Sequence, residues 1–353
     1  MEQGPIFVAG IERSGTTLLY ALLASHPNIA MTRRTELWWY YYNRFGDLSR
    51  PDNLERCLAA MMRYKHLLAL EPDWQSVREE FWQGESTYAR LFTVVGQQYA
   101  RRLGRSRWGD KSHGIERHAG VILESCPTAR IVHMIRDPRD RYASAYKADR
   151  VGRAGAASAT VAWLSSVTLA KRACSKYPLR YKVLTFERLL SDPEGTLRDI
   201  CHFLGEEYAP SMLAMEGAAG FRDKGGNSSF SRHRPGSISR APIGRFRKVL
   251  TQREVAFIQA LARREMAAFG YRPEPVQLPL WQRLLHYVVD WPVNMAYIAG
   301  WRALTAYKDW RGRVPSARRL AGSPLATGSE DTKAGARPGK QGSSECIGQL
   351  SSR

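Results

Sequence analysis

The chain is expected to fold as an α/β protein around a parallel sheet, and three observations carry that expectation. The segments "IFVAG" (6–10), "RIVHMIR" (130–136) and "YKVLTFE" (181–187) have the nearly continuous hydrophobicity of strands buried on both faces. Each is followed by polar residues and then a helical pattern, the βαβ rhythm that sets parallel strands side by side. With 353 residues the chain is long enough to bury a substantial core, and one large domain is expected.

The first strand runs into "TTLLYALLASH", whose Leu18, Leu19, Leu22 and Leu23 recur at helical spacing until Pro27 stops the pattern. The turn between them, "GIERSGTT", therefore opens a helix, where unpaired amides and the positive end of the dipole collect an anion. A fourth strand, "RWGD" (107–110), precedes a helix near "IERHAGVILES". Capping-box spacing at Ser191–Glu194 and Thr251–Glu254 predicts two helix starts, with Gly205 and Gly270 placed to end those helices. Between Phe221 and Leu250 a glycine, serine and arginine run is too long and polar for an ordinary connection and reads as a lid or binding loop, or as a surface excursion.

These features divide the chain into a domain over 1–272, an amphipathic helical extension over 273–320 and a basic tail over 321–353, expected to be disordered. No apolar run reaches the length of a membrane span; "LPLWQRLLHYVVDWPVNMAYIAGW" contains Arg283, His286, Asp290 and Pro292. A strand begins within a few residues of Met1, leaving no room for a signal sequence. Five scattered cysteines without a CxxC pair suggest neither a zinc site nor a disulfide framework, so a cytoplasmic setting is expected, peripheral membrane contact aside.

Lys and Arg number 53 against 33 Asp and Glu, a formal net charge of +20 that draws anionic partners from a distance. Within "GIERSGTT" the spacing of Gly10 and Gly15 is that of a Walker A loop, but Thr16 and Thr17 follow the second glycine where that motif has Lys. Arg13 supplies the cation instead. Arg13, Ser14, Gly15, Thr16 and Thr17 can fork onto a terminal anionic group, yet lack the usual means of neutralising a β/γ-phosphate pair. In "IVHMIRDPRDRYASAYK", Arg136 ends a strand and Ser144 follows two helical turns later, a pair able to hold a second phosphate.

The two motifs, in this order and with the late basic loop, resemble the sulfotransferases that use 3′-phosphoadenosine 5′-phosphosulfate (PAPS), especially the bacterial and tyrosylprotein or carbohydrate-type branch with "RSGTT" and "RDPR". The resemblance covers about residues 5–272 and implies a P-loop-like three-layer sandwich with a central parallel sheet flanked by helices. It implies that residues 13–17 grip the 5′-phosphosulfate, that Arg136 and Ser144 bind the 3′-phosphate, and that Ser239 and Arg240 lie near it. Lys111 in "WGDKS" matches a lysine of the branch and would steady the leaving oxygen. Phe186 stands where relatives often have tyrosine, losing a hydroxyl contact but able to pack on the adenine.

In-line transfer of a sulfuryl group needs a base near the acceptor. The branch commonly has glutamate about where this chain has Arg34, so Glu36, two residues on, is one candidate; His26, His113 and Asp110 are the others. No metal is required. The acceptor is a hydroxyl or amine of a carbohydrate, lipid, small phenol or peptide, and "ELWWYYYNRF" (36–45) is either an aromatic wall for it or a buried helix. Two other readings stand beside this one: a P-loop kinase, disfavoured by the missing lysine, and a basic protein binding nucleic acid or membrane surface through 273–320, where Arg302, Lys308, Arg311, Arg313, Arg318 and Arg319 interleave with Trp301, Tyr307 and Trp310. Docking of that extension on its own domain is preferred to membrane contact, and no specific nucleic acid is expected.

Overall fold

The computed structural model of the chain describes residues 4–146, 155–222 and 237–313. Five parallel strands form one sheet: β1 (Ile6–Ala9), β2 (Ile29–Arg33), β3 (Arg107–Lys111), β4 (Arg130–Ile135) and β5 (Tyr181–Thr185), in the order β2-β3-β1-β4-β5. The four expected strands are present with ends shifted by one or two residues, and β2, "IAMTR", is an addition. It pairs with β3 along its length, from Ile29 beside Arg107 to Arg33 beside Lys111.

Period-two alternation assigns side chains to two cores. Ile6, Val8, Val132 and Met134 point to the side covered by the helices Thr16–Ala24, Phe186–Ser191 and Pro193–Leu204. Phe7, Ala9, Ile131 and Ile135 point to the other, covered by Pro51–Met61, Tyr88–Arg102, Ile115–Ser125 and Gly155–Lys176. The result is a central parallel sheet flanked by helices, as expected. His133 of β4 is wholly buried but satisfied, with Tyr181 Oη at 2.5 Å and Ser166 Oγ at 2.9 Å. Burial holds its pKa down to about 4.

Helix ends follow local chemistry. Thr251 and Glu254 form the expected capping box on the helix Gln252–Ala268. The other start is displaced by one residue: Asp192, not Ser191, caps Pro193–Leu204 by accepting from the Gly195 amide at 3.0 Å. Ser191 is consumed as the last residue of the preceding helix. Gly205 (φ 75°) ends Pro193–Leu204 in the left-handed region.

After Tyr271 the chain runs without regular structure to Pro279 and then forms helical turns from Leu280 to Arg313. This extension docks on its own domain. Ile298 and Trp291 join a third apolar cluster with Tyr142, Phe246 and Phe257. The central part of the predicted polar loop, residues 223–236, and the tail beyond 313 lie outside the described residues.

Candidate functional site

Because the strands are parallel, their C-terminal ends share one edge of the sheet. The loops after β1 and β4 leave this edge side by side, since those strands are neighbours from Ile6 and Arg130 to Ala9 and His133. Here the strand order also reverses direction, the place where α/β sheets leave a crevice.

The β1 loop is shaped by its glycines and by one strained residue. Gly10 and Gly15 have φ of 130° and 97°, and Arg13, with a side chain, also sits in the left-handed region at φ 68°. Such a residue costs about 1 kcal/mol or more and persists where its surroundings impose it. A Cβ on Gly15 would lie 2.3 Å from the Phe186 ring. Gly15 is also the N-cap of the helix Thr16–Ala24 and no side chain caps that helix, so its first amides have no acceptor within the helix.

The β4 element closes on this loop through three contacts. Arg13 Nε donates to Ser144 Oγ at 3.0 Å. Arg136 donates to the Arg13 carbonyl at 3.2 Å, and Arg141 to the Glu12 carbonyl at 3.1 Å. Glu12 is exposed. Phe186 fills the space between the two elements, its ring under the Arg136 guanidinium at 4.6 Å and against Gly15.

The late basic loop completes the wall. Asp140 accepts from the Gly244 amide at 2.6 Å and the Phe246 amide at 2.9 Å, and Arg136 donates to the Pro242 carbonyl at 2.8 Å. Arg245 is brought within electrostatic range of Arg136 and Arg13. Arg240 faces elsewhere: it donates to the carbonyls of Leu190 and Ser191, at the end of the helix Phe186–Ser191. Ser239 Oγ accepts from the Ala241 amide at 3.1 Å.

Four guanidinium groups thus meet at one edge, and the local electrostatics register it. Burial pulls the pKa of Arg136 down, with only partial relief from Asp140, Glu187 and Asp137. Arg141 falls to about 10 for the same reason, with Arg136 and Arg13 adding to the effect and Glu12 opposing it. Ser14 Oγ and Arg136 Nε are buried without a hydrogen-bond partner among the described residues. A desolvated cation cluster with orphaned donors is a site that an anion stabilises. Arg141 and Arg245 were not singled out in the sequence; both stand in runs of arginine where charge alone does not say which side chain turns inward.

A second group lies at the ends of β2 and β3. Lys111 ends β3 in register with Arg33. Burial and the neighbouring Arg34 lower its pKa, while Glu36 opposes them. Glu36, in the left-handed region at φ 54°, is buried and accepts from His113 Nδ1 at 2.7 Å and from the His113 amide at 3.2 Å. The His113 side chain itself is about half exposed, at 53 %. Glu36 therefore pairs with a histidine, not with Arg33 or Arg34.

The remaining base candidates are placed differently. Asp110 is fully buried, with one oxygen accepting from Thr32 Oγ1 at 2.7 Å. Burial raises its pKa. Both nitrogens of His26 are engaged, one with the Glu207 carbonyl at 2.7 Å and the other with the Asn28 amide at 3.1 Å, where the helix Thr16–Ala24 ends and β2 begins. The aromatic run is divided between core and surface. Leu37, Trp38 and Tyr41 enter the core from a short π-helix, Leu37–Tyr41. Trp39 lies where a Cβ on Gly114 would touch it, next to His113, and Tyr40 is 45 % exposed.

No group of three or more His, Cys, Asp or Glu side chains suited to a metal occurs among the described residues. A cavity of about 510 Å³ lies at the other edge of the sheet, near Gly4, Pro5 and Arg107, where the strands begin.

A sequence model of the sulfotransferase family matches residues 5–210. An uncharacterised protein of Aquifex aeolicus is 25 % identical over 213 residues, 56 % of this chain and 25 % of the relative, so the chain spans about a quarter of that protein's length. A putative protein-tyrosine sulfotransferase of Caenorhabditis briggsae is 24 % identical over 221 residues, covering 59 % of this chain and 68 % of the relative. Among solved structures, the sulfotransferase domain of the Synechococcus PCC 7002 olefin synthase is similar with a TM-score of 0.48 and 21 % identity, over 74 % of this chain and 96 % of that domain.

Proposed function

The chain belongs to the sulfotransferase family, and from that premise we propose that it moves a sulfuryl group from PAPS to a hydroxyl or amine of an acceptor molecule. The observation that supports the reading is the contact of the β1 loop with the β4 element, Arg13 on Ser144, which brings the two motifs together at one edge of the sheet. The buried, unpartnered Ser14 Oγ and Arg136 Nε fit a ligand with anionic groups at both ends.

PAPS supplies the sulfuryl group, which passes in line to the acceptor as the nucleotide's 5′-phosphate leaves. The amides of Gly15, Thr16 and Thr17, the Ser14 hydroxyl and Arg13 hold the 5′ end. Arg136 and Ser144 hold the 3′-phosphate, with Arg245 as a further cation and with Ser239 and Arg240 on the same late loop. Phe186 sets the spacing between the two ends. Lys111, a cation made uncomfortable by burial, gains most when negative charge develops on the leaving oxygen. His113 takes the acceptor's proton at Nε2, because Glu36 occupies Nδ1 and fixes the tautomer. Trp39, against Gly114, and the exposed Tyr40 form one wall for an acceptor with an apolar or ring face. Positioning and charge neutralisation supply most of the rate, without a covalent enzyme intermediate.

Carbohydrates, lipids, small phenols and peptides are the acceptor classes this wall admits; the tyrosylprotein or carbohydrate-type branch is the one its motifs resemble. Residues 1–272 are assigned to transfer and 273–320 to an amphipathic helical extension docked on that domain, in a cytoplasmic protein. Incubation with sulfate-labelled PAPS and a panel of these acceptors tests the reading. Label transferred to at least one class, with PAP released, supports it. Binding and turnover of ATP with magnesium in place of PAPS would replace it with a kinase.

A further inference from the structure

The helical segment after Pro279 is amphipathic in the reverse of the usual sense. Between 280 and 298 the positions at least partly covered by the protein are Gln282, His286, Asp290, Trp291, Asn294 and Ile298, a stripe at helical spacing in which four of six are polar. Asp290 is held by Arg253 at 3.2 Å and Trp291 packs edge-on against Phe257 at 5.1 Å. The outward side carries the apolar residues. Leu280, Trp281, Leu284, Tyr287 and Val288 are between 61 % and 80 % exposed, and Leu285, Val289 and Val293 are exposed beside them. A helix on a globular domain normally buries such a face. Single exposed leucines are ordinary, but a strip of eight large apolar side chains marks a contact surface.

The charge around the strip selects what covers it. Residues 280–319 contain seven basic residues, Arg283, Arg302, Lys308, Arg311, Arg313, Arg318 and Arg319, against Asp290 and Asp309, and Asp290 is already paired. An apolar strip rich in Trp and Tyr that continues into a basic stretch matches the acyl boundary and headgroups of an anionic lipid surface. Among the described residues no helix is long and apolar enough to cross a membrane.

We propose that residues 280–297 form a docking surface for an anionic membrane, with Leu280, Trp281, Leu284, Tyr287 and Val288 among the acyl chains. Ile298 and Trp291 share an apolar cluster with Tyr142 and Phe246, neighbours of Ser144 and Arg245. Docking therefore also fixes how the donor cleft faces the lipid. The surface itself does not depend on the reaction assigned to the cleft.

The test is sedimentation of the full chain with vesicles of phosphatidylcholine plus phosphatidylserine and with vesicles of phosphatidylcholine alone, for wild type, L284E/V288E and L280E/Y287E. Wild type is expected to sediment with the anionic vesicles, less so on neutral ones or in high salt. Both variants are expected to bind at least about tenfold more weakly. Unchanged PAP affinity in calorimetry shows that the variants remain folded. Wild type left in the supernatant with anionic vesicles overturns the proposal, as does undiminished binding by both variants. A wild-type dimer that becomes monomeric in the variants also overturns it, with a second copy as the occupant. Failure of all three proteins to bind PAP would sink the donor reading while leaving the vesicle result intact.

Discussion

Arg13 and Ser144 are 131 residues apart in sequence and meet at 3.0 Å. One comes from the turn after the first strand, the other from the second turn of the helix Pro138–Tyr146. Their contact, with Arg136 and Arg141 donating to the carbonyls of the same turn, joins the loop and the helix into one unit, the proposed receptor for the nucleotide.

Removing either end of that receptor should weaken nucleotide binding. Arg13→Ala and Arg136→Ala each remove a charge-assisted contact of about 1.5–3 kcal/mol, or at least about tenfold in the affinity for PAP. Calorimetric titration of both variants checks this, and wild-type affinity in both would remove the site.

Gly15→Ala should destabilise the fold as well as the site. The new methyl meets the Phe186 ring at 2.3 Å and the backbone has φ 97°, so the penalty is about 1–3 kcal/mol. Urea unfolding reads it as a lower midpoint with an unchanged slope.

His113→Ala should lower kcat by about a hundredfold or more while leaving PAP affinity intact, since the base acts on the acceptor's proton. Glu36→Gln keeps the histidine but weakens its orientation, so a smaller fall in kcat with little change in KM is expected. Steady-state kinetics on any accepted substrate separates these; equal losses in PAP affinity would mean that both residues serve the donor instead.

Glu187 gives stability a pH dependence of known sign. Burial raises its pKa from 4.5 to about 7, where it accepts from the Asp137 amide and Tyr271 Oη. Between these values the folded protein binds more protons than the unfolded chain, so Glu187 makes stability fall as pH rises from 4.5 to about 7. His133 acts oppositely: with a folded pKa near 4 against 6.5, it removes stability as pH falls through that range. Glu187→Gln deletes only the first effect. The difference in melting temperature, variant minus wild type, should therefore increase from pH 4.5 to 7; a flat difference would mean that Glu187 ionises normally.

The sheet was legible where hydrophobicity is continuous. β1, β4 and β5 are short apolar runs bounded by polar turns, and they appear in the structure nearly as read. β2 was missed because "IAMTR" is short, mixed in polarity and directly follows a helix end at Pro27; its pairing with β3, 78 residues away, makes it a strand. The turn from β1 into the helix Thr16–Ala24 was legible because glycine spacing and helical periodicity leave a local signature. The Glu36–His113 pair was not, since the two are separate candidates in sequence and only the adjacency of β2 and β3 joins them. The inward turn of Arg141 was likewise hidden, being set by the carbonyls of Glu12 and Ala159 from other segments.

Competition calorimetry with PAP, adenosine 5′-phosphate and adenosine 3′-phosphate tests most directly whether the two phosphate motifs form one cleft. One PAP molecule should bind per chain, displacing either monophosphate and binding far more tightly than each. Two nucleotides bound at once, or a PAP affinity no better than that of the stronger monophosphate, would contradict it.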